Sequence, residues 1–256
     1  MATESGPAID PIHQFALHPV VSIQVAGHDV SLTNSGLFML LAVALSCLLV
    51  AIGARGGSGV PGRLQAMAEM SYEFVAGMVR SAAGETGMRF FPLVFCIFLF
   101  IVICNLIGLI PYSFTVTSQI IVTASLALLV FFTVVIVGLK DHGLSFLKVF
   151  VPPDVPIYIL PLVVAIEVFS FFVRPVSHSV RLFANMLAGH ITLHVFGSFV
   201  VMLLGAGVVF KAFAVLPFLM TIGLFALELL VAFLQAYVFA MLTCMYLNDA
   251  LHPGGH

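Results

Sequence analysis

Four charged side chains stand where an apolar chain accommodates them worst. Glu167, Arg174, Arg181 and Glu228 lie inside an almost continuously hydrophobic stretch running from about residue 157 to 251. Placing an Arg or Asp near the middle of a membrane helix costs about 2.5–3.5 kcal/mol on insertion scales. One such residue is ordinarily a snorkelling helix end or a buried ion pair; a cluster asks for chemistry. A guanidinium stays charged at any physiological pH, so Arg181 is a fixed cation. A carboxylate and an imidazole on neighbouring helices can pass a proton between them, which makes Glu228 and His190 candidate carriers. Glu167 is a further candidate, and Gln235 can both donate and accept hydrogen bonds.

The spacing says how these groups are presented. At about 100° per residue, Glu167, Ser170, Arg174, Ser177, His178, Ala184, Asn185, Ala188 and Thr192 fall within about 60° of Arg181. One helix face is therefore polar or small over about seven turns. Small residues beside an Arg admit a closely approaching helix. A partner passing in front of Arg181 should carry an acidic group, because an unpaired guanidinium in low dielectric is costly. His190 and His194, four residues apart, point away from that face. Further on, Thr221, Glu228, Gln235 and Asp249 recur at multiples of seven residues, with Tyr246 on the same side. A lone His190 would read as a hydrogen-bonded structural residue; Glu228 on the next helix makes it a proton carrier. His178 reads as a packing residue on the Arg181 face, and the histidines at 13, 18, 28, 252 and 256 fall in tails.

The elements that must hold these groups are membrane helices. Of 256 residues, 62% are hydrophobic and 8% charged, against roughly 45–50% and 25% in soluble domains. With nine Lys plus Arg and eleven Asp plus Glu, there is too little charge to keep a globule wet. The mean hydropathy of +1.21 agrees. A soluble enzyme, a disordered chain and a nucleic-acid binder are excluded. The apolar runs are continuous rather than alternating, which excludes a β-barrel. The four cysteines sit in apolar runs without C-x-x-C spacing and read as small buried hydrophobes, so neither metal nor cofactor is expected. No nucleotide-binding loop of the G-x-x-x-x-G-K-S/T type and no cleavable signal sequence are apparent.

Apolar runs predict spans over 37–53, 90–111 and 119–139, after a polar N-terminal segment, 1–33. Residues 63–87 read as an amphipathic helix at the interface or beside the bundle, with Met67, Met70, Phe74 and Met78 on one side. The remainder fits either four ordinary spans or two very long helices, with Pro175 and Gly189 as candidate kinks. Basic residues are absent before the first span and from 112–118. They populate 54–89 (Arg55, Arg63, Arg80, Arg89) and 140–156 (Lys140, Lys148). The positive-inside rule then puts the N-terminus outside and the C-terminus inside.

Two motifs carry a resemblance. SVRLFANMLAGHITLH (179–194), followed by ELLVAFLQAYVFAMLTCMYLNDA (228–250), resembles subunit a of the F-type ATP synthase, in its alphaproteobacterial and mitochondrial form. CNLIGLIPY (104–112) is similar to that family's second-span signature. The resemblance covers the chain from about Phe90 onward. It implies an all-α membrane protein with about five spans. The segments 157–198 and 208–250 would be long, inclined helices packed against a ring of c subunits, leaving Lys211 near the outer turn. It implies that Arg181 is the family's essential arginine. Asn185, His190, Glu228 and Gln235 would line the half-channel from the periplasm, and Glu167, Arg174 and Ser177 would lie where the cytoplasmic half-channel opens. The implied partners are c-ring subunits with membrane carboxylates, b-type peripheral stalk subunits, the F1 sector and lipid, in the bacterial inner membrane. Catalysis by this chain alone is not expected. A proton-coupled secondary transporter, with Arg181 binding an anionic substrate, is the rival; it predicts an internal repeat, and none is visible. A structural anchor would leave the polar stripes unexplained.

Overall fold

A computed structural model of the chain describes residues 19–21, 24–25, 28–29, 31–54, 62–110, 113–151, 156, 158–205 and 207–252. Two short antiparallel pairings open it. β1 (Pro19–Val21) pairs with β4 (Leu32–Thr33), and β2 (Gln24–Val25) pairs with β3 (His28–Asp29) between them. Helices then account for nearly everything: α1 (Asn34–Ala54), α2 (Arg63–Gly87), α3 (Phe91–Gly108), α4 (Ile120–His142), α5 (Leu160–Gly205), α6 (Val208–Phe213) and α7 (Val215–Leu251).

Local chemistry explains several boundaries. At the start of α1 the Thr33 and Asn34 side chains accept from the backbone N–H groups of Gly36 and Ser35, which would otherwise lack partners. Pro92 sits in the first turn of α3, where its missing N–H costs nothing. α4 ends at Gly143, whose φ of 54° suits glycine. Within the helices, Ser46, Thr133, Thr192, Thr221 and Thr243 donate their hydroxyls to carbonyls four residues back. That satisfies a polar group without water.

α7 organises the bundle. It packs against α2, α3, α4 and α5. Ala232, Ala236, Ala240 and Cys244 form a small-residue stripe at four-residue spacing, all essentially inaccessible. Helices in lipid gain nothing by merely hiding leucines, so close backbone approach of this kind is what holds them together. Phe239, Leu247, Ile101, Leu182, Val75, Val79 and Val94 fill the space between. Outside, large apolar side chains point away from the protein, among them Ile121, Phe169, Leu216 and Leu40. A water-soluble fold could not sustain that much outward apolar area; hydrocarbon welcomes it. The chain is an all-α integral membrane protein with five helical stretches long and apolar enough to cross a bilayer.

Where the sequence left two possibilities for the C-terminal half, α5 and α7 are single helices of 46 and 37 residues. At 1.5 Å per residue α5 is roughly 69 Å long, more than twice the hydrocarbon thickness. Pro175 lies inside α5 without ending it. α2 packs beside the bundle through Val75, Ala76, Met78 and Val79. On the side the periodicity singled out, Met67 and Met70 face outward, Phe74 is partly exposed but packs its ring against Phe98, Phe233 and Tyr237, and Met78 is buried. The reason is that α2's smaller residues meet α3 and α7, where backbones approach. The pairs Arg89–Asp141 and Arg174–Asp249, and a contact of His142 Nε2 with the Leu251 carbonyl (2.9 Å), tie the start of α3, the end of α4, the first part of α5 and the end of α7 together at one end.

Gly138 of α4 faces the Phe146 ring, and a Cβ there would come within 2.3 Å of it. Gly138→Ala should therefore destabilise the protein by about 1–3 kcal/mol through overpacking. A lower thermal midpoint in detergent is the expected outcome, and Phe146→Ala in the same chain should relieve part of it.

Candidate functional site

The residues singled out by type divide, in three dimensions, into an inner cluster and an outward face. In the inner cluster, His190 of α5 and Glu228 of α7 are both buried, with Nε2 3.6 Å from Oε1. The same Nε2 is 3.0 Å from Oγ1 of Thr115. Neither carboxyl oxygen of Glu228 has a hydrogen-bond partner among the described residues. Gly189 makes this approach possible: a Cβ there would stand 2.8 Å from Glu228 Oε1. Gln235, two turns along α7, is buried as well. Asn185, Gly189, Thr192, Leu224, Glu228 and Val231 line a cleft of about 200 Å³ between α5 and α7. A buried carboxyl group flanked by an imidazole and open to a polar-edged cleft can exchange a proton with either.

The outward face carries the fixed charge. Arg181 is exposed, as are its neighbours Ser177, Ala184 and Ala188, while Glu167, Asn185 and Thr192 are half-buried. Arg181 makes no ion pair with any described residue, whereas Arg174, two turns earlier, donates from Nη1 to Asp249 Oδ2 at 2.9 Å. The Arg174 guanidinium also lies 5.1 Å from the Tyr246 ring centre, a cation–π distance. Two arginines on one helix thus differ in kind: one is neutralised within the chain, the other is presented outward.

His178 does not join that face. It is buried, with its ring edge-on to Phe239 at 3.8 Å between centres. It borders a small hollow of about 20 Å³, room for a single water, with Phe131, Phe171, Arg174 and Tyr246. Ser177 is exposed and donates only to the Arg174 carbonyl, at 3.3 Å. Glu167 makes no ion pair among the described residues and stands apart from the His190–Glu228 pair, about 35 Å earlier along α5. No group of three or more His, Cys, Asp or Glu able to hold a metal ion occurs among the described residues.

Sequence reasoning passed over the connection between α3 and α4. Phe114 to Ser118 are all at least nine-tenths buried, although they include a 3₁₀ turn and no membrane helix. Irregular backbone at this depth survives only when protein covers it and its polar groups find partners. Asn105 does much of this: its Nδ2 donates to the Ala232 carbonyl (3.1 Å) and its Oδ1 accepts from the Thr117 hydroxyl (2.8 Å). Thr123 of α4 and Ser179 of α5 share a hydrogen bond of 3.2 Å. The available signal was SFTVTSQ itself, a run of hydroxyl residues immediately after a span.

The family model for the ATP synthase A chain matches residues 36–248. A protein of Rhodopseudomonas palustris strain BisB18 called ATP synthase subunit a is 62% identical over 247 residues, covering 96% of this chain and 99% of that protein. Proteins with the same name from Bradyrhizobium diazoefficiens and Nitrobacter winogradskyi are 61% and 60% identical, with the same coverage of each chain.

The fit of Glu228 against Gly189 gives a direct check. Gly189→Ala should lower the thermal midpoint, and Glu228→Ala combined with it should recover part of that loss. Additive losses in this double-mutant cycle would mean the two positions do not touch.

Proposed function

The chain belongs to the ATP synthase subunit a family, and from that premise we propose that it is the stator channel of an F-type ATP synthase, moving protons to and from carboxylates on a rotating ring of c subunits. Its relatives are named for ATP synthesis, which leaves the carrier reading without support. The carrying observation is Arg181: a permanent cation on the outward face of α5 without an ion-pair partner among the described residues of its own chain. At membrane depth such a charge requires an acid from elsewhere. A rotor carboxylate passing the small residues beside it, Ser177, Ala184 and Ala188, meets that requirement.

The mechanism follows from charge and placement. A rotor carboxylic acid reaching Arg181 loses its proton, since ion pairing is worth roughly 4 kcal/mol at 4 Å in an effective dielectric of 20. Much of this is offset by desolvation, so the pair can part again. Having passed, the carboxylate takes a proton from the opposite access path and enters lipid neutral. Arg181 meanwhile blocks direct leakage between the two paths. His190, Glu228, Asn185 and Gln235 form the path from the outer side. That assignment rests on the hydrogen bond of His190 to Thr115 in the buried 113–118 connection, which carries no basic residue, and on the cleft that Asn185 shares with Glu228. Glu167, Ser177 and Arg174 border the path to the inner side, where Arg89, Lys140 and Arg174 gather with the end of α7. The N-terminus is then periplasmic and the C-terminus cytoplasmic, in a bacterial inner membrane. Each charge crossing 100 mV supplies about 2.3 kcal/mol. The assembly also holds b-type stalk subunits and the F1 sector.

Arg181→Ala should abolish proton-driven ATP synthesis in inverted membranes while the complex still assembles; synthesis at the normal rate would defeat the assignment. A second outcome concerns the pair. Placing Glu at 190 and His at 228 together should recover more activity than either single change, because either arrangement keeps one carboxyl group against one imidazole. Simple additivity would show that they do not act as a relay.

A further inference from the structure

We propose that Thr115 is a positioning residue for His190, holding Nε2 toward Glu228 through both protonation states of that nitrogen; this rests on the reading of His190 and Glu228 as a proton relay. The geometry is specific. Thr115 Oγ1 and Glu228 Oε1 address the same ring atom, at 3.0 and 3.6 Å. The shorter distance is a hydrogen bond and the longer is not. His190 Nε2 is thus anchored to the hydroxyl and stands about half an ångström short of hydrogen-bonding distance to the carboxyl group.

A hydroxyl suits this task because it is amphoteric. When Nε2 carries hydrogen, Thr115 accepts from it; when Nε2 is bare, Thr115 donates to it. The ring therefore need not turn when its proton leaves or returns. Without the hydroxyl, Nε2 would lose this buried hydrogen bond in both of its states.

The surroundings are built to hold Thr115 still. It is 4% exposed, in a connection whose Phe114, Val116, Thr117 and Ser118 are equally covered. Its carbonyl accepts from the Ser118 hydroxyl at 2.6 Å, and Asn105 fixes Thr117 beside it. Gly108 of α3 leaves room for its side chain: a Cβ at that position would stand 2.9 Å from Thr115 Cγ2 and 3.1 Å from Oγ1.

The test compares Thr115→Val and Thr115→Ala, which remove the hydroxyl, with Thr115→Ser, which keeps it, all in the complete complex. Assembly is scored by the amount of complex purified. Proton-driven ATP synthesis and passive proton conductance of the membrane sector are then measured per complex. T115V and T115A should assemble and lose about tenfold in both rates, the scale of one buried hydrogen bond; T115S should retain at least about half. In the labelled complex, the ¹⁵N resonance of His190 Nε2 should move in T115V and T115A and stay in place in T115S. Either assembled hydroxyl-free variant running at the wild-type rate would overturn the proposal. So would failure of both to assemble while T115S does, since that marks a purely structural residue. His190→Gln and Glu228→Gln run in parallel separate the two ideas. If they lose transport and T115V does not, only the Thr115 role fails; if they keep transport, the relay itself fails.

Discussion

A cation that cannot be neutralised is the constraint to which this protein answers. Lysine can shed its charge when buried, but arginine cannot, so every arginine at membrane depth must be paired, wetted or matched by a neighbour. α5 uses two of these solutions on one face. Arg174 is paired with Asp249 and lies over Tyr246; Arg181 is exposed among small side chains. The first arrangement is a fastening between α5 and α7. The second leaves a cation without an ion-pair partner among the described residues of its own chain.

Everything around Arg181 depends on how closely α5 and α7 approach. The alanine stripe of α7 brings backbones together, and Gly189 of α5 admits the Glu228 carboxyl group where any larger residue would collide with it. The inner pair is thereby held on the opposite side of α5 from the fixed charge. The buried imidazole–carboxyl pair and the exposed cation therefore face different surroundings.

The buried connection between α3 and α4 is the less familiar part of this arrangement. It brings hydroxyl groups, rather than charges, to the imidazole and to Asn105 of α3. Hydroxyls can donate or accept without altering net charge, so the Thr115 hydroxyl can hold the buried imidazole in either role.

Much of this was already written in the order of residues. Composition alone determined a membrane protein, because so few charges cannot solvate a surface. Apolar runs located the helices, and the period of 3.6 residues put Arg181, Ser177, Ala184, Asn185 and Ala188 on one face and His190 on the other. Those features are local, and local periodicity is enough to express them. What the tertiary structure alone decided was pairing across the bundle: that Arg174 meets Asp249, that His178 packs on Phe239, and that Met67 and Met70 look outward while Phe74 meets Phe98, Phe233 and Tyr237. It also decided that a short hydroxyl-rich connection folds inward to meet His190. Each of these depends on which distant segments lie side by side, and that is set by packing of the whole, where one small residue in the right place outweighs the preference of any single stretch of chain.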